Sequence, residues 1–561
     1  MPYVITQPCC NDATCLDVCP VDCIRPTPDD PSFTTTEMLY IEPDTCIECG
    51  ACADACPVEA IFPAEELTEQ TARYQSINAN YFEAFPLESS WEGFDAPVPV
   101  TPLGEDEPLR VAIVGAGPSA CYAATDLTMR LGRSVEVEMF DRLPTLWGLV
   151  RAGVAPDHPG TKNVTETFRS VLSKPPVQLH LNVEIGKHLT HEELASYHHA
   201  VIYAVGAAGD RRLDVPGEFL PGSHAATAFV AWYNGHPDYA DLTFDLSSER
   251  AVIVGNGNVA LDVARILVSD PDSLADTDIA EHALDALRQS NIREVVVLGR
   301  RGPAQAAYTN PELLALGHLA GVDVVIDPCE LELDEHSRTV IDGGDAPATA
   351  LKVAVAEEFA ARSHNPANKR IVLRYLTSPT EVLGTENVTG LQVVHNDLVE
   401  DENGRLVARA GNRTETIETG LVLRSIGYRG LGVPGLPQIN ASGVIPNDDG
   451  RVVDKTGEPL PGVYTTGWIK RGPSGVIGTN KRCAHDTVNR LLEDLDAGRL
   501  SPTAGNHDAL SELIRQRQPD VVDFRGWEAI DAAELARGAA SGRSRSKITD
   551  VAAMVDIAKQ R

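Results

Sequence analysis

The chain has 561 residues, 43% of them hydrophobic and 23% charged, and its formal net charge at pH 7 is -34. This length suggests three or four domains, and the charge argues against binding to nucleic acid or to anionic lipid surfaces. No apolar run approaches the roughly 18 residues that span a bilayer, and the first residues lack the pattern of a secretory signal. We therefore expect a cytoplasmic protein with no membrane or nucleic-acid partner.

The first part of the chain is acidic and rich in cysteine. Residues 1–108 contain 21 acidic residues against 2 basic ones, a balance of -19, so their surface either keeps the protein soluble or docks a partner. Nine of the 12 cysteines lie within residues 9–56, and the other three are scattered: Cys121, Cys329 and Cys483. A disulfide scaffold requires an oxidising compartment. Metal ligation is therefore the better interpretation of these cysteines.

Two cysteine runs predict iron-sulfur clusters. Residues 46–57 read CIECGACADACP, the C-x2-C-x2-C-x3-C-P spacing in which three thiolates hold one cluster and the fourth holds another. A zinc site would need two paired half-sites instead. Residues 9–20 repeat the pattern, with Asp12 at a position where a cysteine is expected.

Each run thus contributes its fourth cysteine to the other cluster, which predicts two ligand sets. Cluster II takes four thiolates and cluster I takes three: Cys46, Cys49, Cys52 and Cys19 for cluster II, and Cys9, Cys15 and Cys56 for cluster I. A carboxylate is a weaker partner for cluster iron than a thiolate. We therefore expect a [3Fe-4S] cluster I beside a [4Fe-4S] cluster II, with a second [4Fe-4S] cluster as the alternative. Cys10 and Cys23 remain as small buried residues.

Strand, glycine turn and helix follow one another twice in the remainder of the chain. Residues 86–108 are rich in Pro, Gly and acids, which predicts a linker. Residues 111–120, VAIVGAGPSA, then place Gly115, Gly117 and Ala120 at a helix start, where bare backbone approaches a pyrophosphate. The next strand ends at Asp141, an acid suited to a ribose hydroxyl.

The second unit carries the same turn but ends differently. Residues 251–260, AVIVGNGNVA, supply the turn residues Gly255, Gly257, Asn258 and Val259. Its following strand runs into Arg300 and Arg301 instead of an acid. Guanidinium groups suit a phosphate dianion, so the ligand is predicted to be NADPH rather than NADH. The alternative is that both arginines pair with surface acids.

Longer stretches resemble known families. Residues 1–85 resemble the seven-iron bacterial ferredoxins. Residues 109–561 resemble ferredoxin-NADP reductases of the adrenodoxin reductase type, in GLVRAGVAPDHPGTKNV (148–164), GRRGPAQAAYTNPEL (299–313) and GWIKRGPSGVIGTNK (467–481) among others. The resemblance implies an α+β ferredoxin domain followed by an α/β flavoprotein with two dinucleotide-binding domains, as in glutathione reductase.

The resemblance also implies a division of the chain. We expect a ferredoxin domain, a linker, the first part of an FAD-binding domain, an NADPH-binding domain, and the second part of the FAD-binding domain with C-terminal helices: 1–85, 86–108, 109–209, 210–425 and 426–561.

The same resemblance assigns site residues. FAD contacts are implied for Asp141, Gly148, Leu149, Gly467, Trp468, Gly475 and Ile477, and NADPH contacts for Arg300, Arg301 and Glu312. His158 and Trp468 are the catalytic candidates beside the flavin, the alternatives being a turn histidine and an ordinary core tryptophan. The family often has an acid one turn after Glu312, where this chain has Ala315.

The implied activity is that of a ferredoxin-NADP reductase. NADPH would pass a hydride to FAD, and single electrons would pass to the fused clusters, to an external ferredoxin or to another one-electron acceptor protein. The alternatives are the electron-input subunit of a glutamate synthase-like multi-enzyme, a non-enzymatic electron carrier, and a disulfide reductase, which the isolated cysteines disfavour.

The C-terminal tail carries a group of basic residues. We expect the acidic ferredoxin surface to meet either an external partner or basic residues of the reductase, with four candidates in this tail: Arg537, Arg543, Arg545 and Lys547.

Overall fold

The computed structural model describes residues 2–87, 108–344, 346–402, 405–505 and 507–560. Residues 88–107, nearly all of the predicted linker, lie outside the described residues. None of the helices within these ranges has the length and apolar character needed to cross a bilayer.

The N-terminal domain is built from short elements between cysteine loops. Its bounds are β1 (Tyr3–Ile5), α1 (Thr14–Asp17), β2 (Ile24–Arg25), β3 (Tyr40–Ile41), α2 (Ala51–Ala55), β4 (Ile61–Pro63) and α3 (Arg73–Ala84). β1 pairs with β4 and β2 with β3, both antiparallel. Asn78 of α3 joins the two pairs, because its side-chain oxygen accepts from the backbone N-H of Ile5 at 3.2 Å and of Ile41 at 2.9 Å.

The remaining chain forms two nucleotide-binding sheets in three segments. The first has β5 (Leu109–Val114), α4 (Pro118–Leu131), β6 (Val135–Asp141), α5 (Leu149–Ala152), α6 (Pro159–Lys162), α7 (Val164–Leu172), β7 (Val177–Leu181), α8 (His191–Tyr197), β8 (Ala200–Tyr203) and β9 (Gly209–Asp210).

The second segment has β10 (Ser223–Ala225), α9 (Ala226–Tyr233), β11 (Arg250–Val254), α10 (Asn258–Val268), α11 (Pro271–Leu274), α12 (Glu281–Arg288), β12 (Glu294–Leu298), α13 (Asn310–Leu316), β13 (Val322–Ile326), α14 (Glu335–Asp342), α15 (Pro347–Ala361), β14 (Lys369–Arg374), β15 (Thr377–Gly384), β16 (Val388–Glu400), β17 (Leu406–Glu418) and β18 (Leu421–Arg424).

The third segment has β19 (Tyr428–Arg429), β20 (Asn447–Asp448), β21 (Arg451–Val453), β22 (Pro459–Thr465), α16 (Trp468–Arg471), α17 (Thr479–Asp496), α18 (His507–Arg517), α19 (Phe524–Ala540) and α20 (Val551–Lys559). Short 3-10 helices lie at Ala64–Glu66, Gly132–Ser134, Pro237–Tyr239, Pro303–Gln305 and Pro328–Leu331.

The first and third segments share one sheet of seven strands, in the order β20-β21-β22-β8-β5-β6-β7. From β22 to β7 the strands are parallel, and β8 and residues 111–114 of β5 are continuous buried apolar runs, as expected of central parallel strands. Helices α4, α7 and α17 pack together beside this sheet. The glycine turn after β5 therefore opens at the carboxyl edge, where ligands bind in such sheets.

The middle segment forms a second sheet of six parallel strands, β10-β18-β11-β12-β14-β13, and a separate antiparallel sheet of β15, β16 and β17. The chain crosses between the two nucleotide-binding sheets at β9 and again at β19, and these two strands pair antiparallel. The carboxyl edges of β5 and β11 each carry a glycine turn, so the fold contains two nucleotide sites.

The C-terminal tail packs on the reductase itself. The Arg545 guanidinium lies 2.9 Å from Glu534, Lys547 lies 2.9 Å from Asp278, and Arg543 donates to the Ile279 carbonyl. The expectation that these basic residues meet the acidic ferredoxin surface was therefore wrong for Arg543, Arg545 and Lys547. The partners of Arg543 and Lys547 lie in a distant part of the sequence, whereas Glu534 lies on the preceding helix α19. A charge count reveals neither kind of pairing.

Candidate active site

The first glycine turn presents bare backbone at the start of α4. Gly115 has φ +114°, and a methyl group there would overlap the Ala204 carbonyl oxygen. Gly117 is the N-cap of α4. A methyl group on Gly148 would lie only 3.0 Å from the Cα of Gly117. Ala120, the last turn residue, is fully buried in α4. The turn can therefore admit a pyrophosphate close to the helix N-terminus.

Asp141 lies beside this turn at the end of β6. Its carboxylate accepts from the backbone N-H of Ala116 and of Leu143, both at 2.9 Å. Burial raises the pKa of Asp141. The fold thus brings the acid and the turn together, and each carboxylate oxygen keeps a further lone pair for a ribose hydroxyl.

The segment around Trp468 leaves two buried donors without a partner. Within the described chain, the indole Nε1 of Trp468 and the Nη1 of Arg471 have no hydrogen-bond acceptor. Gly467 precedes them with φ +75°, and a methyl group there would overlap the Ser119 hydroxyl. Because buried donors are normally satisfied, these groups fit a ligand with ring nitrogens and carbonyl oxygens, as a flavin has.

The remaining residues implied for FAD line the same region. Leu149 at the start of α5 is 37% exposed although apolar, Gly475 is exposed with φ +78°, and Ile477 lies just before α17. The ring of Trp468 packs on Tyr428 with centroids 5.3 Å apart.

Trp147 was missed by sequence reasoning. It has φ +84°, which is strained for a side chain other than glycine, and its N-H donates to Ala116 of the glycine turn at 3.0 Å. Its ring packs edge-on against Trp527 at 5.2 Å. The only available signal was its position directly before Gly148.

The second glycine turn repeats the geometry of the first. Gly255 has φ +111°, a methyl group there would overlap the Ser425 carbonyl, and Gly257 is the N-cap of α10. The Asn258 side chain accepts from the Thr309 N-H at 2.8 Å and so ties α10 to α13. Val259 is half-buried next to it.

Arg300 and Arg301 directly follow β12. Among the described residues, no carboxylate lies within ion-pair distance of either guanidinium, so the surface-pairing alternative finds no support in this part of the chain. Burial, and secondly the charge of Arg300, lowers the pKa of Arg301. Two adjacent uncompensated cations form a site for a dianion.

His158, the N-cap of α6, lies next to the acidic side chains of α10 and α13. A ring nitrogen of His158 and carboxylate oxygens of Asp262 and Glu312 lie within 4.8 Å of one another. Ala315 therefore does not leave the histidine without nearby acids. Burial, and secondly the charge of Asp262, raises the pKa of Glu312.

Arg265 neutralises this acidic group and was also missed by sequence reasoning. It is 3% exposed and lies 2.7 Å from Asp157, 2.7 Å from Asp262 and 3.4 Å from Glu312. Because a guanidinium already occupies these carboxylates, we interpret the group as an ion-pair network rather than a metal site.

The four cysteines predicted for cluster II line a single cavity in the ferredoxin domain: Cys19, Cys46, Cys49 and Cys52. Cys23 lines it as well, with its Sγ 3.6 Å from the Sγ of Cys19. Four thiols around one cavity fit a four-iron cluster.

The three cysteines predicted for cluster I lie deeper. Burial raises the pKa of Cys9 to about 11 and also raises the pKa of Cys15 and Cys56. Iron must displace these protons, so cluster insertion is coupled to deprotonation. Asp12, at the missing cysteine position, turns its carboxylate toward the reductase, where the Tyr122 hydroxyl donates to it at 2.6 Å.

Comparisons with known proteins match both parts of the chain. A family model described as 4Fe-4S binding domain matches residues 39–62, and one described as pyridine nucleotide-disulphide oxidoreductase matches residues 109–476. A probable ferredoxin/ferredoxin-NADP reductase of Mycobacterium tuberculosis (strain ATCC 25618 / H37Rv) is 50% identical over 565 residues, covering 99% of this chain and 94% of that protein.

Two further relatives match the reductase part. The mitochondrial NADPH:adrenodoxin oxidoreductase of Salvelinus fontinalis is 40% identical over 460 residues, covering 80% of this chain and 91% of that protein. The structure of Mycobacterium tuberculosis FprA in complex with NADPH has a TM-score of 0.77 and 45% identity, and covers 81% of this chain and 100% of that one. This chain is therefore an oxidoreductase of the ferredoxin/ferredoxin-NADP reductase family, with an N-terminal iron-sulfur domain and a two-nucleotide flavoprotein fold.

Proposed function

We propose that the protein carries electrons between NADPH and the clusters of its own N-terminal domain through bound FAD, and then to a separate ferredoxin or other one-electron acceptor protein. The observation that carries the proposal is that one chain combines two glycine turns, each at a helix start, with four cysteines of the predicted cluster II around one cavity. FAD, when bound, accepts a hydride and releases electrons singly. We also propose a cytoplasmic location, which the net charge of -34 would suit.

The FAD site is proposed to consist of the first glycine turn and the Trp468 segment. The turn would bind the pyrophosphate, Asp141 a ribose hydroxyl, and Trp468 the flavin ring through its unpaired N-H. The full proposed set is Gly115, Gly117, Ala120, Asp141, Gly148, Leu149, Gly467, Trp468, Gly475 and Ile477.

The NADPH site is proposed to consist of the second turn and the two arginines that follow β12. Arg300 and Arg301 would bind the 2′-phosphate, and the turn the pyrophosphate, with these residues contributing: Gly255, Gly257, Asn258, Val259 and Glu312. His158 and Trp468 would orient the two rings toward each other. Hydride transfer depends on this orientation more than on acid-base chemistry.

The cluster sites are proposed as predicted from the cysteine runs. Cys19, Cys46, Cys49 and Cys52 would hold a [4Fe-4S] cluster, and Cys9, Cys15 and Cys56 a [3Fe-4S] cluster. The three-iron assignment is supported by Asp12, whose carboxylate is engaged by Tyr122 and Thr14 and lies 3.8 Å from Lys481. We also propose the domain division 1–85, 109–209, 210–425 and 426–561.

Anaerobic mixing of the full chain with NADPH tests the function. Loss of flavin absorbance should be followed by a change in the EPR signal of at least one cluster, and by reduction of an added ferredoxin. Replacing the ligand Cys56 with serine should impair the cluster step while NADPH-dependent reduction of ferricyanide continues. Flavin reduction that never reaches either cluster or an added ferredoxin would refute the proposal.

A further inference from the structure

The loop that carries the first cluster I ligand lies directly against the reductase. The backbone N-H of Gly478, the N-cap of α17, donates to the carbonyl of Cys10 at 2.7 Å. A methyl group on Gly478 would overlap the backbone of Asn11 and Asp12. Glycine is therefore required for this approach. Gly478 directly follows Ile477, a proposed FAD residue, so the flavin segment and the cluster I loop are joined by a hydrogen bond.

Apolar packing continues this contact. Cys10 and Val58 belong to the same buried cluster as the β5 and α4 side chains of the flavin sheet, and Cys9, Cys56 and Ile477 pack against it. Two proposed cluster I ligands thus share one apolar environment with the flavin segment.

Asp12 holds the loop in place. Its side chain is 7% exposed, and its carboxylate accepts from the Tyr122 hydroxyl of α4 at 2.6 Å. The ammonium group of Lys481 on α17 lies 3.8 Å from the other carboxylate oxygen and donates to Thr14 at 3.2 Å. The residue that replaces a cluster ligand is thus bound to the two helices that flank the flavin sheet.

The loop that carries the cluster II cysteines is exposed to solvent, unlike the loop of Cys10 and Asp12. Ile47 is 57% exposed although apolar, and Cys49 is exposed, while both line the cluster II cavity. The solvent side of the ferredoxin domain is therefore close to cluster II, and the reductase side is close to cluster I.

We propose that cluster I is the cluster that exchanges electrons with the flavin, across the Cys10–Gly478 contact, and that Asp12 is a positioning residue for this exchange. Cluster II receives electrons from cluster I and passes them outward near Cys49. Electron transfer slows steeply with distance and is faster through bonded contacts than through gaps, which favours this order. The inference rests on the proposed function and its ligand sets.

Oxidation of one NADPH supplies two electrons and releases one proton. One NADPH becomes NADP+ and gives up two electrons and a proton, the proton passing to water. The electrons leave through cluster I one after the other. The first electron moves on to cluster II or to an external acceptor before the second follows, so one NADPH reduces two one-electron sites.

The test compares two conservative variants with a matched interface control. Tyr122→Phe removes the hydrogen bond from the Tyr122 hydroxyl to Asp12. Asp12→Asn removes the carboxylate charge that faces Lys481. Arg73→Gln removes an ion pair with Glu358, 2.8 Å long, on the side of the interface that faces the NADPH-binding sheet. Flavin content and iron content are measured for each variant, and all three are compared with the parent chain.

Freeze-quench EPR after anaerobic mixing with NADPH gives the rates of cluster reduction. We expect the rate of cluster I reduction to fall about tenfold in Tyr122→Phe and in Asp12→Asn, because each weakens a contact to a charged group. The rates of flavin reduction and of ferricyanide reduction should stay unchanged. Arg73→Gln should stay within about twofold of the parent.

Unchanged cluster I rates in both variants, or cluster II reduction that precedes cluster I reduction, would overturn the inference. If the parent chain reduces its flavin but neither cluster nor an added ferredoxin, the proposed function fails instead. The two failures are therefore distinguishable in the same experiment.

Discussion

Three arginine residues differ in whether carboxylates neutralise their charge. Arg265 is buried against three carboxylates, whereas Arg300 and Arg301 have no carboxylate within ion-pair distance in the described chain. A buried cation must be paired to be tolerated. Partly exposed cations without acids near them keep their charge available for a ligand. The contrast supports a phosphate-binding role for Arg300 and Arg301 and a structural role for Arg265.

Replacing Arg300 and Arg301 together with glutamine should raise the KM for NADPH far more than the KM for NADH. Charge-assisted hydrogen bonds are worth about 1.5–3 kcal/mol each, so the loss of two is expected to raise the KM for NADPH by about a hundredfold or more. Steady-state kinetics with both cofactors measures the effect. Equal losses for NADPH and NADH would rule out the phosphate role.

Asp12 should determine the iron content of cluster I. The purified parent should contain seven irons per chain, with an oxidised-state EPR signal from a three-iron cluster. Asp12→Cys supplies the missing thiolate and should shift the content toward eight irons and quench that signal. Iron analysis and EPR of anaerobically prepared protein measure both quantities. Eight irons and a silent oxidised spectrum in the parent would contradict the prediction.

At the scale of elements, β6 shows how a buried strand accommodates an acid. Glu138 is 2% exposed, and its carboxylate lies 2.7 Å from His180 on β7, 3.8 Å from His198 and 3.0 Å from His507 on α18. These contacts hold the pKa of Glu138 well below its usual range despite burial, which acts in the opposite direction. The carboxylate thus joins the edge of the sheet to a C-terminal helix.

The contact of His507 with Glu138 should stabilise the fold in a pH-dependent way. The hydrogen bond to Glu138 raises the pKa of His507. Its contribution is therefore fully present below the ordinary histidine pKa and is lost as the pH rises through the raised value. His507→Gln should lower the Tm by about 2 °C at about pH 6 and by less at about pH 8.5.

Thermal unfolding at both pH values, with the parent chain in parallel, measures this difference. His364→Gln at an exposed histidine serves as the control and should leave the Tm unchanged at both values. A Tm loss for His507→Gln that is equal at the two pH values would show that the ion pair is not its cause.

At the scale of the whole molecule, the ferredoxin domain contacts both nucleotide-binding sheets. One apolar cluster combines ferredoxin residues with those of the NADPH-binding sheet, and another combines Cys10 and Val58 with the flavin sheet. Glu37 accepts from the Asn310 N-H at 2.8 Å, and Arg73 pairs with Glu358. The interface is therefore mainly apolar and hydrogen-bonded, with largely buried ion pairs of Asp12 with Lys481 and of Glu37 with Lys352, and a more exposed pair of Arg73 with Glu358.

Internal cluster reduction should consequently depend only weakly on salt. Exposed ion pairs contribute about 0–1 kcal/mol, so raising ionic strength from about 0.05 to about 0.5 M should change the rate less than about fivefold. Stopped-flow mixing with NADPH measures this, and reduction of an added ferredoxin in the same buffers gives the comparison. A much steeper loss of the internal rate would indicate an electrostatic dock instead.

Local spacing in the sequence determined the family and most of the chemistry. The cysteine runs, the glycine turns and the Arg300–Arg301 pair each act through a single loop, so their spacing alone encodes which groups converge. The family, the fold class and the ferredoxin-NADP reductase activity of its members are confirmed by the comparisons. The individual ligand contacts stay predictions.

Contacts between distant segments were decided only by the tertiary structure. Tyr122 meets Asp12 across 110 residues of sequence, and His507 meets Glu138 across 369. Arg265 gathers acids from three separate segments. Such pairs form because the sheets and domains pack in one particular arrangement. Neither the type of a residue nor its spacing in the sequence indicates which distant residue it will contact. The sequence therefore predicted the residues of each site, and the packing decided that the loop of Cys10 and Asp12 lies against α4 and α17.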